Sequence, residues 1–400
     1  MKRILLFGAG ASVPYFRPSL TTNFLTKVVL NRRAWREIIQ RYNNRIAANR
    51  LQLNETNILN MLLDICNIND NQNFEQIIEI IDKICSYNFD NGDNKTIHNI
   101  FRYYGAPNYC DYLEWGIIPF LSRQLISECI LGLQTSNRHH VHDYDELLRL
   151  QRDFIQCMTK NDELSIITLN YDDILNESIQ SLNIENGFIN ERFSTRSFFD
   201  ASNTISFPHG HIRFIIDGRG LRNISNLNEA NNIRFNNLFT ITLDETQFLL
   251  NSNYSYVFNT SIVTGQLKES TFDENPFSAY YQKLAIDIFE SQEIVIIGYS
   301  FQDSHLNRLL RNFLELNDTN IIKIISYIIQ DINVNNFYGP FSFPFFSNMF
   351  RTFGIKSWPY YYNHNLDIVN VTNYGEIYDR IFLYKNGYNN FLHEYNIITQ

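Results

Sequence analysis

Short, largely apolar runs alternate along this chain with segments in which apolar residues recur at helical spacing. Runs of this kind, rich in isoleucine, are typical of strands that are buried on both faces of a sheet. They occupy Ile4–Phe7, Leu164–Leu169, Thr204–Phe207, Glu293–Ile297 and Ile321–Ile329. Helical patterns follow at Ile174–Leu182, Tyr280–Glu290 and Ser304–Leu314. Strands that alternate with helices predict an α/β fold, namely a Rossmann-like parallel sheet with helices on both faces.

Helical spacing dominates the region between the first two predicted strands. A helix start is predicted at Thr21, Thr22 and Asn23, ahead of an apolar pair. Further on, apolar residues recur at helical intervals in two groups. The first group is Ile58, Met61, Leu62 and Ile65, and the second is Phe74, Ile77, Ile78 and Ile81. Because the block from about 35 to 160 lies between two strands, we expect a large helical insertion.

The composition changes after about residue 330, where Phe341–Phe353 is rich in aromatic residues and poor in charges. These aromatic residues form either an exposed interaction patch or core that covers the sheet. The sequence therefore predicts two parts, a domain at 1–330 and an extension at 331–400. The extension is a candidate interface with another subunit or a partner.

Composition excludes several classes of protein. A net charge of −9 argues against direct binding of nucleic acid. The five cysteines are dispersed without a C-x-x-C pair, which argues against a zinc ribbon and against a disulfide framework. Such cysteines fit a reducing compartment, so we expect a cytoplasmic location. The sequence holds no apolar run long enough for a membrane span, so we expect none.

The first predicted strand ends in five small residues, which are Gly8, Ala9, Gly10, Ala11 and Ser12. Small residues at a strand exit let a diphosphate approach the backbone, and amides of a following helix can face the anion. Every charged residue before Glu37 is basic. Two other interpretations are a secretory signal cleaved near Ala9–Ala11 and a strand–turn–helix without a ligand. Val13 replaces the third glycine of the dinucleotide fingerprint, which argues against a standard dehydrogenase.

Polar residues follow three more predicted strands, at Asn170–Asp172, His209–His211 and Gly298–Asp303. Ligands of open α/β sheets bind at the carboxyl ends of the strands. Four strand ends with unusual chemistry at the same edge therefore predict one shared site.

A resemblance to a known family rests on four motifs in a fixed order. They are G-A-G-A-S at Gly8–Ser12, T-L-N-Y-D at Thr168–Asp172, P-H-G at Pro208–Gly210 and G-Y-S-F-x-D at Gly298–Asp303. Together they resemble the sirtuin superfamily, and most closely the bacterial sirtuin-like NAD hydrolases of antiphage defence. The resemblance covers about residues 1–330 and implies that this part is an NAD-binding catalytic domain.

The family's functional residues correspond to particular positions of this chain. The resemblance implies that Asn170 and His209 are catalytic and that NAD is the substrate. It implies NAD-binding roles for a further set, in which Asp172 is the partner of the catalytic asparagine. The set is Gly8, Ala9, Gly10, Ala11, Ser12, Arg17, Asp172, Gly298, Ser300 and Asp303. The last three match a segment beside the adenosine half of NAD.

Two departures from the family separate this chain from protein deacylases. The two C-x-x-C pairs of the deacetylases' zinc site are absent, so we expect no zinc. The family's G-I-P-D-F-R segment is shorter here, at Val13–Arg17, with Tyr15 in the aspartate position.

The residues suit cleavage of a glycosidic bond whose leaving group is already cationic and needs no strong acid. The amide of Asn170 can bind a ribose hydroxyl or a water, and the imidazole of His209 can accept a proton near neutral pH. Asp172 could accept a hydrogen bond from the carboxamide. Attack by water at C1′ gives nicotinamide and ADP-ribose, while attack by a ribose or a base gives cyclisation or transfer. The sequence leaves these outcomes open.

We therefore predict an NAD⁺ glycohydrolase that depletes NAD in antiphage, abortive-infection defence. The resemblance implies a homo-oligomer and a partner, either an ATPase of the DNA-translocase type or an Argonaute-type protein. The alternatives are a non-catalytic sensor of NAD or ADP-ribose and a sirtuin-type deacylase or ADP-ribosyltransferase. Supporting roles are expected for His211 and His305. A solvated loop rather than a metal site is expected at His139, His140 and His142.

Overall fold

The fold is that of a computed structural model of the protein. The structure describes residues 2–45, 55–56, 58, 60, 74–79, 81, 118–160, 162–216, 233–235, 262, 275–326, 343–354, 374–378, 380–384 and 386–395.

A seven-stranded sheet forms the centre of the described part of the chain. In spatial order its strands are β10 (Tyr374–Tyr378), β11 (Ile381–Tyr384), β9 (Ile321–Ile325), β8 (Glu293–Ile297), β1 (Lys2–Phe7), β2 (Glu163–Thr168) and β5 (Thr204–Ser206). Six of these strands are parallel, and β10 pairs antiparallel with β11 at one edge. The predicted Rossmann-like α/β sheet is confirmed.

Helices cover both faces of the sheet, as the apolar strands require. In β1, Ile4 and Leu6 belong to one core cluster, while Leu5 and Phe7 belong to another. Because side chains alternate along a strand, this division shows that each face of the sheet has its own core. The described helices are α1 (Thr22–Val29), α2 (Arg32–Arg45), α3 (Ile118–His140), α4 (Tyr144–Thr159), α5 (Ile174–Ile179), α6 (Thr195–Asp200), α7 (Phe277–Glu290), α8 (Ser304–Leu316), α9 (Phe343–Thr352) and α10 (Gly387–Glu394).

Most of the described residues between β1 and β2 are helical. Helices α1 to α4 and the helical residues 74–79 lie in this region, in agreement with the predicted insertion. The predicted helix start is also found, because the Thr21 hydroxyl accepts a hydrogen bond from the Phe24 amide and caps α1. The first apolar group of the insertion lies largely outside the described residues.

The loop expected at His139 and His140 is wrong, because both residues lie in the last turn of α3. His142 follows the helix and is exposed. No cluster of three or more histidine, cysteine or acidic residues that could hold a metal ion occurs among the described residues.

A second, four-stranded antiparallel sheet packs aromatic side chains beside the carboxyl edge of the main sheet. Its order is β3 (Phe188–Ile189), β4 (Arg192–Phe193), β7 (Ile233–Phe235) and β6 (Phe214–Ile216). Phe207, which follows β5, packs against Phe214 and Phe235 of this sheet. The small sheet therefore supports the segment that carries the P-H-G motif.

Residues beyond 330 contribute to the same sheet and core. Strand β11 extends the parallel sheet beside β9, and the Tyr388 ring of α10 lies 6.0 Å from the Phe7 ring of β1. The Tyr388 hydroxyl donates to Gln151 of α4. In α9, Met349 and Phe350 are buried, so within residues 343–354 the aromatic segment is core that covers the sheet. The role of the extension as an interface stays a prediction.

No helix within the described ranges combines the length and the apolar character that crossing a membrane requires.

We expect Tyr388→Ala to lower the free energy of unfolding by about 3 kcal/mol or more, because it leaves a cavity between α10 and β1. Tyr388→Phe keeps the ring and loses the hydroxyl contact to Gln151, at a cost of about 1 kcal/mol. The exposed neighbour Asn389 is the control, and Asn389→Ala should change stability by less than about 0.5 kcal/mol. Urea unfolding followed by circular dichroism measures all three. Equal effects of Tyr388→Ala and Asn389→Ala would show that α10 is not part of the cooperative core.

Candidate functional site

A cleft of about 1170 Å³ lies at the carboxyl edge of the sheet. All four predicted strand-end motifs contribute to its lining. The predicted site residues that line it are Gly8, Ala9, Ser12, Asn170, Asp172, His209, Ser300 and Asp303. The start of α1 with the two residues before it, residues of 74–79, α8 and α9 also line it. The convergence that the sequence predicts is therefore present.

The glycine loop uses most of its amides within the protein. After β1 the chain forms two 3₁₀ turns, Ala9–Ala11 and Val13–Tyr15, and the first α-helix starts only at Thr22. The Gly8 amide donates to the Ile297 carbonyl and the Gly10 amide donates to the Gly298 carbonyl. The Ala11 and Ser12 amides donate back into the same turn. The expected helix start with amides facing an anion is thus replaced by a turn in which Ala9 alone makes none of these bonds.

Close backbone contact explains the glycines of this loop and of the loop after β8. Gly298 has a φ of +63°, and a Cβ there would collide with the backbone of Gly10 and Ala11. A Cβ on Gly10 would lie 2.8 Å from the Gly298 Cα. Gly10, Ala11 and Gly298 do not line the cleft. Their place in the structure is the junction between two strand ends.

A chain of three hydrogen-bonded side chains fixes Asn170. Its amide nitrogen donates to the Gly8 carbonyl at 3.0 Å and to the Ser12 hydroxyl at 2.8 Å. The Ser12 hydroxyl in turn donates to Asp172 at 2.6 Å. Because a backbone carbonyl only accepts, the Gly8 contact decides which end of the amide is nitrogen. The Asn170 side-chain oxygen is left as an acceptor beside the cleft.

Asp172 is buried, and this burial changes its acidity. Only 4% of the residue is exposed, and burial raises the pKa of its carboxyl to about 6. Hydrogen bonds from the Ser12 hydroxyl and the Ile174 amide oppose that rise, because they stabilise the charged form. Asp172 therefore acts on Asn170 through Ser12, although it also lines the cleft. Direct contact of Asp172 with the carboxamide of NAD stays a prediction.

His209, which follows β5, is paired with Asp303, which follows β8. Its Nε2 lies 3.1 Å from a carboxylate oxygen of Asp303. The other oxygen of Asp303 accepts hydrogen bonds from the amides of His305 and Leu306 and so caps α8. An ionised carboxylate only accepts, so Nε2 of His209 carries a proton and Nδ1 is the free base.

The segment before Asp303 is held in an uncommon conformation. Phe301 has a φ of +57°, in the left-handed region that side chains with a Cβ rarely adopt. Its carbonyl accepts a hydrogen bond from Asn307. Its ring packs against Phe345 of α9 and against Phe353, which directly follows α9. The Tyr299 hydroxyl accepts from the Asp303 amide. These contacts stabilise the turn that presents Asp303 to His209.

The second histidine of the P-H-G-H segment faces away from the cleft. Gly210, with a φ of +86°, reverses the chain between His209 and His211. His211 is fully buried, and burial together with Arg213 lowers its pKa to about 3. Its Nδ1 accepts the Arg213 amide, and its Nε2 lies 3.5 Å from Asp173. A neutral, buried ring of this kind supports the loop, as the sequence analysis expected.

Asp173 forms a buried cluster with His211 and Arg213. Burial raises the pKa of its carboxyl to about 7, while the guanidinium of Arg213 opposes the rise. Arg213 bonds to Asp173, and its guanidinium carbon lies 5.8 Å from the centre of the Phe235 ring. The cluster links the loop after β2 to the segment after β5.

Two residues of the shortened Val13–Arg17 segment lie elsewhere. Tyr15 is fully buried, and its hydroxyl donates to Leu147 and Gln151 of α4. Arg17 is exposed, bonds to the carbonyls of Val13 and Phe16, and does not line the cleft. His305, expected in a supporting role, is exposed and lines the cleft in the first turn of α8.

Two charged walls of the cleft are not predicted by the sequence. Glu75 and Glu79 line one of them, and the Tyr171 hydroxyl lies 3.4 Å from Glu75. Arg308, Arg311 and Arg351 line another. Arg308 follows Ser304 by one helical turn, so the predicted helix after β8 held a usable signal for it. No sequence pattern connects Arg351 to this edge of the sheet.

Residues 164–332 match the family model of a SIR2-like domain. No curated protein matches the chain. The match supports membership of the sirtuin-like superfamily, whose members are NAD-dependent enzymes, and so supports an NAD-related activity in general. The SIR2-like domain contains Asn170, His209 and Asp303, while the glycine loop and α9 lie outside the matched residues.

We expect Asp172 to make the stability of the protein depend on pH. Its carboxyl has an ordinary pKa of 3.8, which rises to about 6 in the folded protein, so the folded state binds the proton more tightly. Its contribution to stability therefore increases as the pH falls through 6 towards 4, by up to about 3 kcal/mol.

The test compares urea unfolding of the wild type and Asp172→Asn between pH 7.5 and 4.5. The stability of Asp172→Asn relative to the wild type should decrease as the pH falls, because only the wild type gains a proton. Asp200 is the matched control, with 71% of its side chain exposed, and Asp200→Asn should leave the difference from the wild type flat. A difference that stays constant for Asp172→Asn as well would contradict the assigned shift.

Proposed function

We propose that this protein is an NAD⁺ glycohydrolase that cleaves the nicotinamide–ribose bond and yields nicotinamide and ADP-ribose. One observation carries the proposal: a single cleft in a SIR2-like domain holds a fixed amide oxygen of Asn170 and the His209–Asp303 pair. A binding module needs neither a proton acceptor nor a carboxylate that orients it. NAD enters as the substrate.

Departure of nicotinamide leaves positive charge on the ribose, because the bonding electrons move to the ring nitrogen. The leaving group becomes neutral and needs no acid. What the protein can supply is orientation of the ribose and of the attacking water, together with stabilisation of the charge. Asp172, Asp303 and Glu75 line this cleft and give it negative charge that suits a cationic transition state.

Asn170 and His209 then have separate tasks. The Asn170 oxygen accepts a hydrogen bond from a ribose hydroxyl or from the water, since both of its amide protons are used within the protein. The His209 Nδ1 accepts the proton that water loses as its oxygen bonds to C1′. Asp303 stabilises the resulting imidazolium at 3.1 Å. The proton then leaves to solvent and restores the base.

We further propose that the activity depletes cytoplasmic NAD as the effector of an antiphage, abortive-infection system. The resemblance to sirtuin-like NAD hydrolases of such systems supports this role. It also supports a homo-oligomer and activation by an ATPase of the DNA-translocase type or by an Argonaute-type protein. Residues 331–400 are the proposed contact for such a partner.

We expect Asn170→Ala and His209→Ala each to reduce nicotinamide release from NAD by at least about 100-fold. Chromatographic detection of nicotinamide and ADP-ribose measures the rate, with the protein alone and with its partner. The matched control is His142, whose side chain is 99% exposed and lies outside the cleft. His142→Ala should keep the wild-type rate.

Full activity in both cleft variants would overturn the assignment. NAD binding by the wild type without turnover in any assembly state would instead indicate a sensor. Transfer of label from NAD to a protein, or deacylation of a peptide, would indicate the sirtuin-type alternative.

We expect Asp303→Asn to lower kcat about tenfold or more and to leave KM nearly unchanged, because Asp303 acts on the reaction through His209. Asparagine caps helices about as well as aspartate, so this change retains the start of α8. Asp303→Ala removes both roles and should also lower the thermal midpoint. Steady-state kinetics and thermal unfolding separate the two effects. An unchanged kcat in Asp303→Asn would show that the 3.1 Å contact serves the helix alone.

A further inference from the structure

The cleft is lined by charged residues of both signs. Its acidic residues are Asp172, Asp303, Glu75 and Glu79. Arg308 of α8 and Arg351 of α9 line the cleft as well, and both are exposed. Within the described part of the chain, neither guanidinium makes a hydrogen bond or an ion pair. The protein has a net charge of −9, so these two arginines give the cleft a local positive charge that the protein as a whole lacks.

The backbone of the glycine loop offers little to an anion. Four of the five amides from Gly8 to Ser12 donate to carbonyls of the protein. The α8 N-terminus is occupied too, because Asp303 accepts the amides of His305 and Leu306. A phosphate-bearing ligand in this cleft therefore needs side-chain donors.

The position of Arg308 suits such a ligand. Ser304, Arg308 and Arg311 share one face of α8, and this face lines the cleft. Arg308 lies five residues beyond Asp303, which corresponds to about 7.5 Å along a helix axis. In NAD one ribose ring and a methylene group separate the scissile C1′ from the diphosphate. Reaction at His209 would therefore bring the diphosphate towards Arg308.

Arg351 lies on α9, which is joined to α8 and to the loop before it by hydrogen bonds. Arg311 donates to the carbonyls of Thr352 at 2.6 Å and Arg351 at 2.5 Å. Asn348 of α9 donates to the Ser300 carbonyl in the loop before α8. These bonds fix the backbone of Arg351 and leave its guanidinium exposed to the cleft.

We propose that Arg308 and Arg351 bind the diphosphate of the dinucleotide. The proposal rests on the proposed function, since it assumes that NAD occupies the cleft with C1′ near His209. Guanidinium groups bind phosphate oxygens through two parallel hydrogen bonds, which gives orientation as well as affinity. The site then selects for a substrate that carries a diphosphate, and it retains affinity for ADP-ribose after nicotinamide leaves.

The test measures binding by calorimetry with three probes: ADP-ribose, inorganic diphosphate and nicotinamide riboside. Arg308→Gln and Arg351→Gln should each raise the Kd for ADP-ribose about tenfold, and the double variant should raise it further. Inorganic diphosphate should follow the same order. Nicotinamide riboside, which has no phosphate, should bind the wild type and the double variant equally. The affinity of the wild type for ADP-ribose should also fall more steeply with salt than that of the double variant.

Arg196 provides the matched control, because its side chain is 93% exposed and does not line the cleft. Arg196→Gln should leave every Kd unchanged. Circular dichroism confirms that the variants fold, which is expected since both cleft arginines are exposed.

The outcomes separate this proposal from the proposed function. Wild-type binding of ADP-ribose that depends on both arginines supports the diphosphate site, even if no nicotinamide is released. An unchanged Kd for ADP-ribose in the double variant overturns the site, even if the wild type hydrolyses NAD. Failure of the wild type to bind either ADP-ribose or diphosphate overturns it as well.

Discussion

The backbone contact between the glycine loop and the loop after β8 is the constraint on which the cleft depends. Gly10 and Gly298 approach so closely that neither tolerates a Cβ, and the Gly10 amide donates to the Gly298 carbonyl at 2.9 Å. This contact joins the ends of two neighbouring parallel strands. It fixes Ser12 on one side and the turn that carries Asp303 on the other. The junction therefore sets the distance between the hydrogen-bonded side chains Asn170, Ser12 and Asp172 and the His209–Asp303 pair. It also sets the shape of the cleft between them.

Fixing the functional groups in this way costs stability. Asp172 and Asp173 are buried carboxyls whose pKa values rise to about 6 and about 7, and Phe301 adopts a left-handed conformation. Each feature opposes folding, and each is tolerated because the contacts of the surrounding residues hold it in place. As a result, the Asn170 amide and the His209 ring need little reorganisation when a substrate binds. A prearranged polar site of this kind stabilises developing charge better than mobile side chains or water.

The sequence predicts the sheet, its helices and the convergence of four motifs, because apolar runs and strand-end chemistry are local signals. Asn170, His209 and Asp303 follow predicted strands and line one cleft, while their roles are implied by the resemblance. The use of the Gly8 and Gly10 amides could not be predicted, since their acceptors Ile297 and Gly298 lie far away along the chain. The strands after residue 370 were missed for a related reason. β11 pairs with β9 and β10 pairs with β11, so both strands depend on partners that lie outside their own local pattern.

Helix α9, which lines the cleft, lies outside the SIR2-like match. This separation bears on how the site selects its ligand. The matched residues 164–332 contain Asn170, His209 and Asp303, whereas α9 begins at Phe343. Helix α9 nevertheless supplies Arg351, the ring contacts to Phe301 and the bond to the Ser300 carbonyl. A change in α9 can therefore alter which ligand fits without altering the residues proposed for bond cleavage. The same contacts couple α9 to the strained turn before Asp303, so anything that binds the C-terminal part of this chain and shifts α9 would act on His209 through a path of direct packing.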